Sequence, residues 1–284
     1  MNNKQTLMTL VLTAGLLVAC SSDDDNVVPA ASQRPISVEV GMTRAAITTT
    51  QTLSKFSMSG VYSGTVSAYT ITKSGDTWRI SPDSWPSKAG NNDVVPFYAY
   101  TGGTYYYNGG NPYVSYTVPE NASTQHDLLV ATNNVAYSDR NGKVSLTFDH
   151  ACAAVEFSVC MNDKLKAQLS DTPLTISSIV LHNVYSKGKY YFATGWQELS
   201  ESNYYTLNDA DITVSTTSQP LSSNYLFMIP QQRAKDGTTG VYLEVTYAFA
   251  GQTQTTAIIP LDTSDWVESS TNTIDIKLGT TLIK

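Results

Sequence analysis

The run Val144-Ser145-Leu146-Thr147-Phe148-Asp149-His150-Ala151-Cys152-Ala153-Ala154-Val155-Glu156-Phe157-Ser158-Val159 decides the fold class. Apolar side chains stand at 144, 146 and 148 and again at 155, 157 and 159, with polar residues between them. A repeat of two places alternate residues on opposite faces of a strand. Apart from Leu146, the apolar members are β-branched or aromatic, the types that suit a pleated, half-buried surface. Just upstream, Asn141-Gly142 is a hairpin-turn signal between Ala136 and Phe148.

The pattern continues in both directions. Towards the N-terminus, Ile36–Val40, Tyr62–Ile71, Thr77–Ile80, Val94–Tyr100, Tyr113–Val118 and Asp127–Ala131 read as short strands separated by Gly, Pro, Ser and Asn clusters. Towards the C-terminus come Leu174–Asn183, Tyr190–Phe192, Ile212–Thr216, Tyr225–Ile229 and Thr273–Leu278. Val241–Ala250 and Thr253–Ile259 form a hairpin pair around Gly251-Gln252. Asn162–Ser170 is either one short helix or a loop turn. Many short strands at this spacing imply sandwiches or barrels, so the class is all-β.

Composition agrees. Charged residues make up 14% of the 284 residues, well under the usual value of about 25%. Tyr outnumbers Phe by 18 to 7. The net charge is −7, and Asp23, Asp24 and Asp25 supply three of the negative charges. No basic stripe with interleaved aromatics is present, so nucleic acid is not an expected partner.

Residues 1–20 read MNNKQTLMTLVLTAGLLVAC. Lys4 followed by the short apolar run Leu7–Leu17 is a signal peptide, too short for a membrane span of about 20 residues. Leu17-Val18-Ala19-Cys20 resembles a bacterial lipobox, which predicts cleavage between Ala19 and Cys20 and diacylglycerol on the Cys20 thiol. Multiple acyl chains make a stable anchor at roughly 0.8 kcal/mol per buried CH₂. Ser21–Asn26 resembles an acidic export tract of surface lipoproteins and also serves as a solvated tether. The organisation expected is a signal peptide at 1–19 and a lipidated flexible tether at 20–35, followed by domains at 36–143 and 144–284.

No catalytic constellation stands out. The three histidines, His126, His150 and His182, lie in different strands or strand ends without metal-ligand spacing. Cys152 and Cys160 are eight residues apart in one apparent strand. That spacing spans about 26 Å, against roughly 7 Å or less between bridged Cα atoms, so they read as unpaired structural thiols. Neither a cofactor nor a metal is expected, and the chain does not read as an enzyme.

Several segments, in order, resemble the fimbrillin family of Bacteroidales pilins, including its Mfa-like subunits. They are Pro35–Val40 leading to Thr43-Arg44-Ala45, then Asp127–Ala131, and then Val144–Ala151 running into Ala154–Val159. Phe227-Met228-Ile229-Pro230-Gln231, Leu243–Tyr247 and the late Trp266 follow. The resemblance covers nearly the whole mature chain.

It implies two tandem β-sandwich domains of transthyretin-like topology and an outer-membrane lipoprotein displayed on the cell surface in a fimbrium. It also implies assembly by strand exchange. An Arg-specific protease cuts near the first strand, and a neighbouring subunit's strand fills the groove that opens. The candidate cut lies between Arg44 and Ala45, the alternative being an ordinary surface arginine. The candidate displaced strand carries Ile36, Val38 and Val40. The short tail after Leu278 suits a tip subunit that accepts a strand without donating one. Partners are then other fimbrial subunits, outer-membrane lipid through Cys20, and a host or bacterial surface ligand. The alternative function is a surface glycan-binding lipoprotein that uses Trp78, Trp85, Tyr105, Tyr106 and Tyr107 as stacking platforms.

Overall fold

A computed structural model describes residues 34–42, 52–208, 210–221, 225–232, 238–250 and 252–280. In chain order the strands begin with β1 (Ser37–Met42), β2 (Lys55–Tyr62), β3 (Thr65–Ser74), β4 (Thr77–Ser81), β5 (Val94–Tyr100) and β6 (Thr104–Tyr106). Then come β7 (Tyr113–Thr117), β8 (Leu129–Ala136), β9 (Lys143–His150), β10 (Ala153–Met161), β11 (Leu174–Tyr191) and β12 (Gly195–Asn208). The last six are β13 (Ile212–Thr213), β14 (Gln219–Pro220), β15 (Leu226–Met228), β16 (Tyr242–Phe249), β17 (Thr255–Pro260) and β18 (Thr271–Leu278). The described residues are all-β apart from short helical turns. Of these, α1 is Tyr137–Arg140 and α2 is Asp163–Leu169, the latter capped by Asn162 Oδ1, which accepts the Leu165 N–H at 2.7 Å.

The first sheet runs β1-β9-β8-β5-β2-β3-β4. β8 and β9 pair at Leu129/His150 and Val130/Asp149 and then diverge. β1 and β9 therefore fold over the other five strands and enclose a core that includes Phe56, Met58, Ile71, Trp85, Phe97, Leu146 and Phe148. Asn141 and Gly142 do adopt left-handed conformations, φ 51° and 77°. They end the helical turn α1 rather than making a two-residue hairpin, because β8 and β9 have separated by that point.

The second core lies between two further sheets. One has β10 at its centre, with β14 and β15 on one side and β18 parallel on the other. The other runs β17-β16-β11-β7-β6, with β12 and β13 also on β11. Phe157, Val159, Leu181, Val184, Leu243, Val245 and Trp266 pack between them.

Two expected boundaries move. β9, which carries Val144, Leu146 and Phe148, packs in the first core, so the change of core falls at His150–Ala153 and not at 143/144. Its apolar face matches the first core's open side, and only after His150 does the chain cross to the second. At the other end, Arg34 and Pro35, read as the end of the tether, belong to the packed body: Arg34 is 6% exposed and Pro35 bridges Ser84. The cores also share strands. Leu129 and Ala131 of β8 face the first core, while Leu128 and Val130 face the second. β6 and β7, from the first half of the sequence, extend the sheet built on β11.

Candidate functional site

β1 closes the first core from its edge. Its alternation is Ser37, Glu39 and Gly41 on one face and Val38, Val40 and Met42 on the other, with Ile36 leading in. Ile36 is buried at 4% exposure, and Val38, Val40 and Met42 pack against the same core. The three expected groove-filling residues thus come together on one face. β1 pairs with β9 in parallel, from Ser37 opposite Lys143 to Met42 opposite Phe148. Among the described residues β9 is its only ladder partner, and β1 ends the sheet. At roughly 1.5–3 kcal/mol for each fully buried large apolar side chain, these four contribute on the order of 5 kcal/mol of burial.

The entry to β1 is fastened on both sides. The Ile36 N–H donates to Asp83 O at 3.0 Å, and the Ser37 N–H donates to Gly142 O at 3.1 Å. Gly142 could carry no side chain there: a Cβ would collide with the Pro35 carbonyl and the Tyr137 ring. Arg34 anchors the segment. Its Nη1 donates to Asn91 Oδ1 at 2.7 Å, its Nη2 donates to the Ala89 carbonyl, and the guanidinium lies 5.3 Å from the Tyr137 ring centroid. Asp93 stands nearby. The Tyr62 hydroxyl, then the Gly90 N–H at 2.7 Å, and more weakly Arg34 hold its carboxyl below the usual range. On the outer face Glu39 pairs with Lys143 at 2.9 Å, which also keeps the Glu39 carboxyl low. Both side chains are about half exposed, so this pair adds little stability.

Arg34 gave no signal in the sequence. It sits in a Ser-, Gln- and Pro-containing run, and arginine is rarely buried unless paired. Cys20, Ala19, Arg44 and Ala45 lie outside the described residues. Arg44 follows the end of β1, Met42, by two positions.

The second core has its own open side. β17 and β18 each end a sheet, and a cleft of about 600 Å³ between them is lined by Tyr247, Ala257, Ile259 and Leu278. Leu243 and Val245 of β16 are fully buried, whereas Ala257 and Ile259 of β17 are only half covered.

Of the five aromatic residues considered as sugar platforms, Trp85 is 1% exposed and belongs to the first core. Trp78 packs edge-on to Phe56. Tyr105 stacks on Tyr100 with centroids 5.7 Å apart. Only Tyr106, at 47%, is well exposed, and Tyr107 is half-buried.

The sequence profile of the Fimbrillin-like family matches residues 35–284. This chain belongs to that family. The solved structure of a fimbrial protein from Bacteroides vulgatus has the same fold, with a TM-score of 0.66 at 16% identity over 88% of this chain and 96% of that one. Two structures named for cell adhesion also align, more distantly. The one from Bacteroides ovatus has a TM-score of 0.49 at 10% identity over 86% of this chain and 91% of that one. The one from Bacteroides uniformis has a TM-score of 0.47 at 13% identity over 87% and 93%. No curated protein sequence matches the chain. The fimbrillin-like fold thus accounts for the whole described body, from the entry to β1 to the end of β18. Among the described residues no helix is long and apolar enough to cross a membrane.

Proposed function

We propose that the chain is a structural or adhesive subunit of a cell-surface fimbria, exported as a lipoprotein on Cys20 and assembled by protease-triggered strand exchange. The single observation that carries the assembly step is the placement of β1. It is a sheet-edge strand that fills the first core with Ile36, Val38, Val40 and Met42 and ends two residues before Arg44.

A cut after Arg44 frees β1 together with everything N-terminal to it, including the lipid. The vacated groove then offers the parallel edge of β9 and an uncovered apolar floor. A strand from a second subunit satisfies both, with main-chain hydrogen bonds along β9 and alternate apolar side chains in the groove. The two cores serve as the tandem sandwich domains of this scheme, one accepting the strand while the other continues the filament. The subunit's chemistry is structural and adhesive, with no catalytic role.

The test combines fractionation with terminal mass. Cys20→Ala is expected to leave an unprocessed precursor or to release the protein from membranes. Subunits recovered from surface filaments are expected to begin at Ala45. Unchanged membrane attachment of Cys20→Ala, or filament subunits that retain residues 20–44, contradicts the proposal.

A further inference from the structure

We propose that the outer face of the β11–β12 hairpin carries a carbohydrate-binding site, centred on Tyr204 and Glu120, that takes a neutral sugar unit of a surface glycan. The inference rests on the adhesive reading above and specifies the class of ligand.

Strand alternation fixes Tyr204. Its neighbour Tyr205 is 1% exposed in the second core, opposite Leu181, so Tyr204 must point away from that core. It is 58% exposed, so its ring is open to solvent. The ring is not loose. His182 lies beside it at 6.1 Å between centroids, and His182 in turn stacks on Tyr242 at 4.8 Å and 10°. The three rings form a row across β12, β11 and β16. Bulges flank the row, with register shifts between Leu181 and Val184 and left-handed backbone at Asn183 (φ 62°) and Glu201 (φ 55°). Such bulges re-aim side chains and recur near binding sites.

Tyr204 also lines a cleft of about 420 Å³, whose other walls are Thr206 and Asn208 of β12 and the turn at Glu120–Ala122. That volume falls within the range of small-ligand sites, about 300–1,000 Å³. The turn is built firmly: Asn121 Oδ1 accepts the Ser123 N–H at 2.9 Å. Glu120 Oε1 accepts from Asn203 Nδ2 at 3.2 Å, which holds the carboxylate at the rim. Among the described residues its other oxygen has no partner.

The donor set selects the ligand. The lining contains no Lys or Arg, so a phosphate or sialic acid finds no counter-charge and meets the Glu120 carboxylate instead. An exposed ring face, a fixed carboxylate, side-chain amides and a hydroxyl match a molecule with one C–H face and a rim of hydroxyl donors. A neutral pyranose is such a molecule.

The test uses the purified mature chain on an array of neutral oligosaccharides ending in glucose, galactose, mannose or N-acetylglucosamine, beside sialylated counterparts. At least one neutral glycan is expected to bind more tightly than its sialylated form. Tyr204→Ala and Glu120→Gln each weaken it about tenfold or more, ~1.4 kcal/mol. Tyr106→Ala, on a separate part of the sheet, leaves it unchanged. Tyr204→Ala is expected to keep the wild-type melting temperature and to enter filaments normally. Binding confined to sialylated glycans, absence of neutral-glycan binding, or binding indifferent to Tyr204→Ala overturns the site. If the wild type assembles into filaments yet binds no neutral glycan, only this inference fails; if it never assembles, the fimbrial reading fails instead.

Discussion

His150 holds Asp127 through its Nδ1 at the seam between the two cores, with both side chains 3% exposed. Asp127 Oδ1 also accepts the Cys152 N–H at 3.2 Å. One carboxylate thus ties together the lead-in to β8, the end of β9 and the start of β10, where the chain passes from one core to the other. Burial pushes the Asp127 carboxyl up, and the His150 contact pulls in the opposite direction.

Removing one partner leaves the other buried without it, a loss of about 3–5 kcal/mol. Asp127→Ala and His150→Ala are each expected to lower the free energy of unfolding by that amount in urea titrations. A change under 1 kcal/mol in either variant would show that the seam is held by packing alone.

Arg34 is expected to latch the first strand. Arg34→Ala removes two charge-assisted hydrogen bonds and a ring contact, so about 2–3 kcal/mol of the local fastening is lost. Hydrogen exchange at the amides of Ser37–Met42 should speed up more than exchange in β16, which belongs to the other core. Equal acceleration in both strands would mean that Arg34 supports the body as a whole.

Glu268 gives a pH dependence. Burial, and secondarily the nearby Asp149 charge, raise its carboxyl above the ordinary value, while a hydrogen bond from Tyr190 opposes them. The folded state therefore binds this proton more tightly than the unfolded state does. Between the unfolded pKa of about 4.3 and the higher folded value, stability falls as pH rises. Glu268→Gln removes that slope, so the variant should gain melting temperature relative to wild type as pH is raised from about 4.5 to neutrality. A wild-type-minus-variant difference that is constant across the range would contradict the assignment.

The all-β class was legible because apolar alternation survives in strands such as β9, β10 and β16, whose inner residues Leu146, Phe157 and Val245 are buried. The hairpin of β16 and β17 stands as read, pairing Tyr242 with Pro260 through Tyr247 with Thr255. β12 was not legible. Its Gln197-Glu198-Leu199-Ser200-Glu201-Ser202-Asn203 stretch has no period of two in hydrophobicity, because one face is solvent and the bulges shift the register. Only pairing with β11 makes it a strand. Tyr204 carries no signal in the sequence for the same reason, while Trp78 and Trp85, more conspicuous there, pack in or against the first core. The alternation of the Val144 run marks β9 as a strand, but its core assignment depends on non-local pairing with β1, which local patterning does not encode.

The central claim is that β1 is the strand given up during assembly, and replacing Arg44 tests it most directly. Arg44→Ala is expressed in the native cell, surface filaments are sheared off, and the subunit is located by mass and by its N-terminus. The account predicts that the variant stays in the membrane fraction with residues 20–44 attached and is missing from high-mass filaments, while wild type enters them beginning at Ala45. Arg44→Ala subunits found in high-mass filaments with their N-terminal segment retained would contradict it.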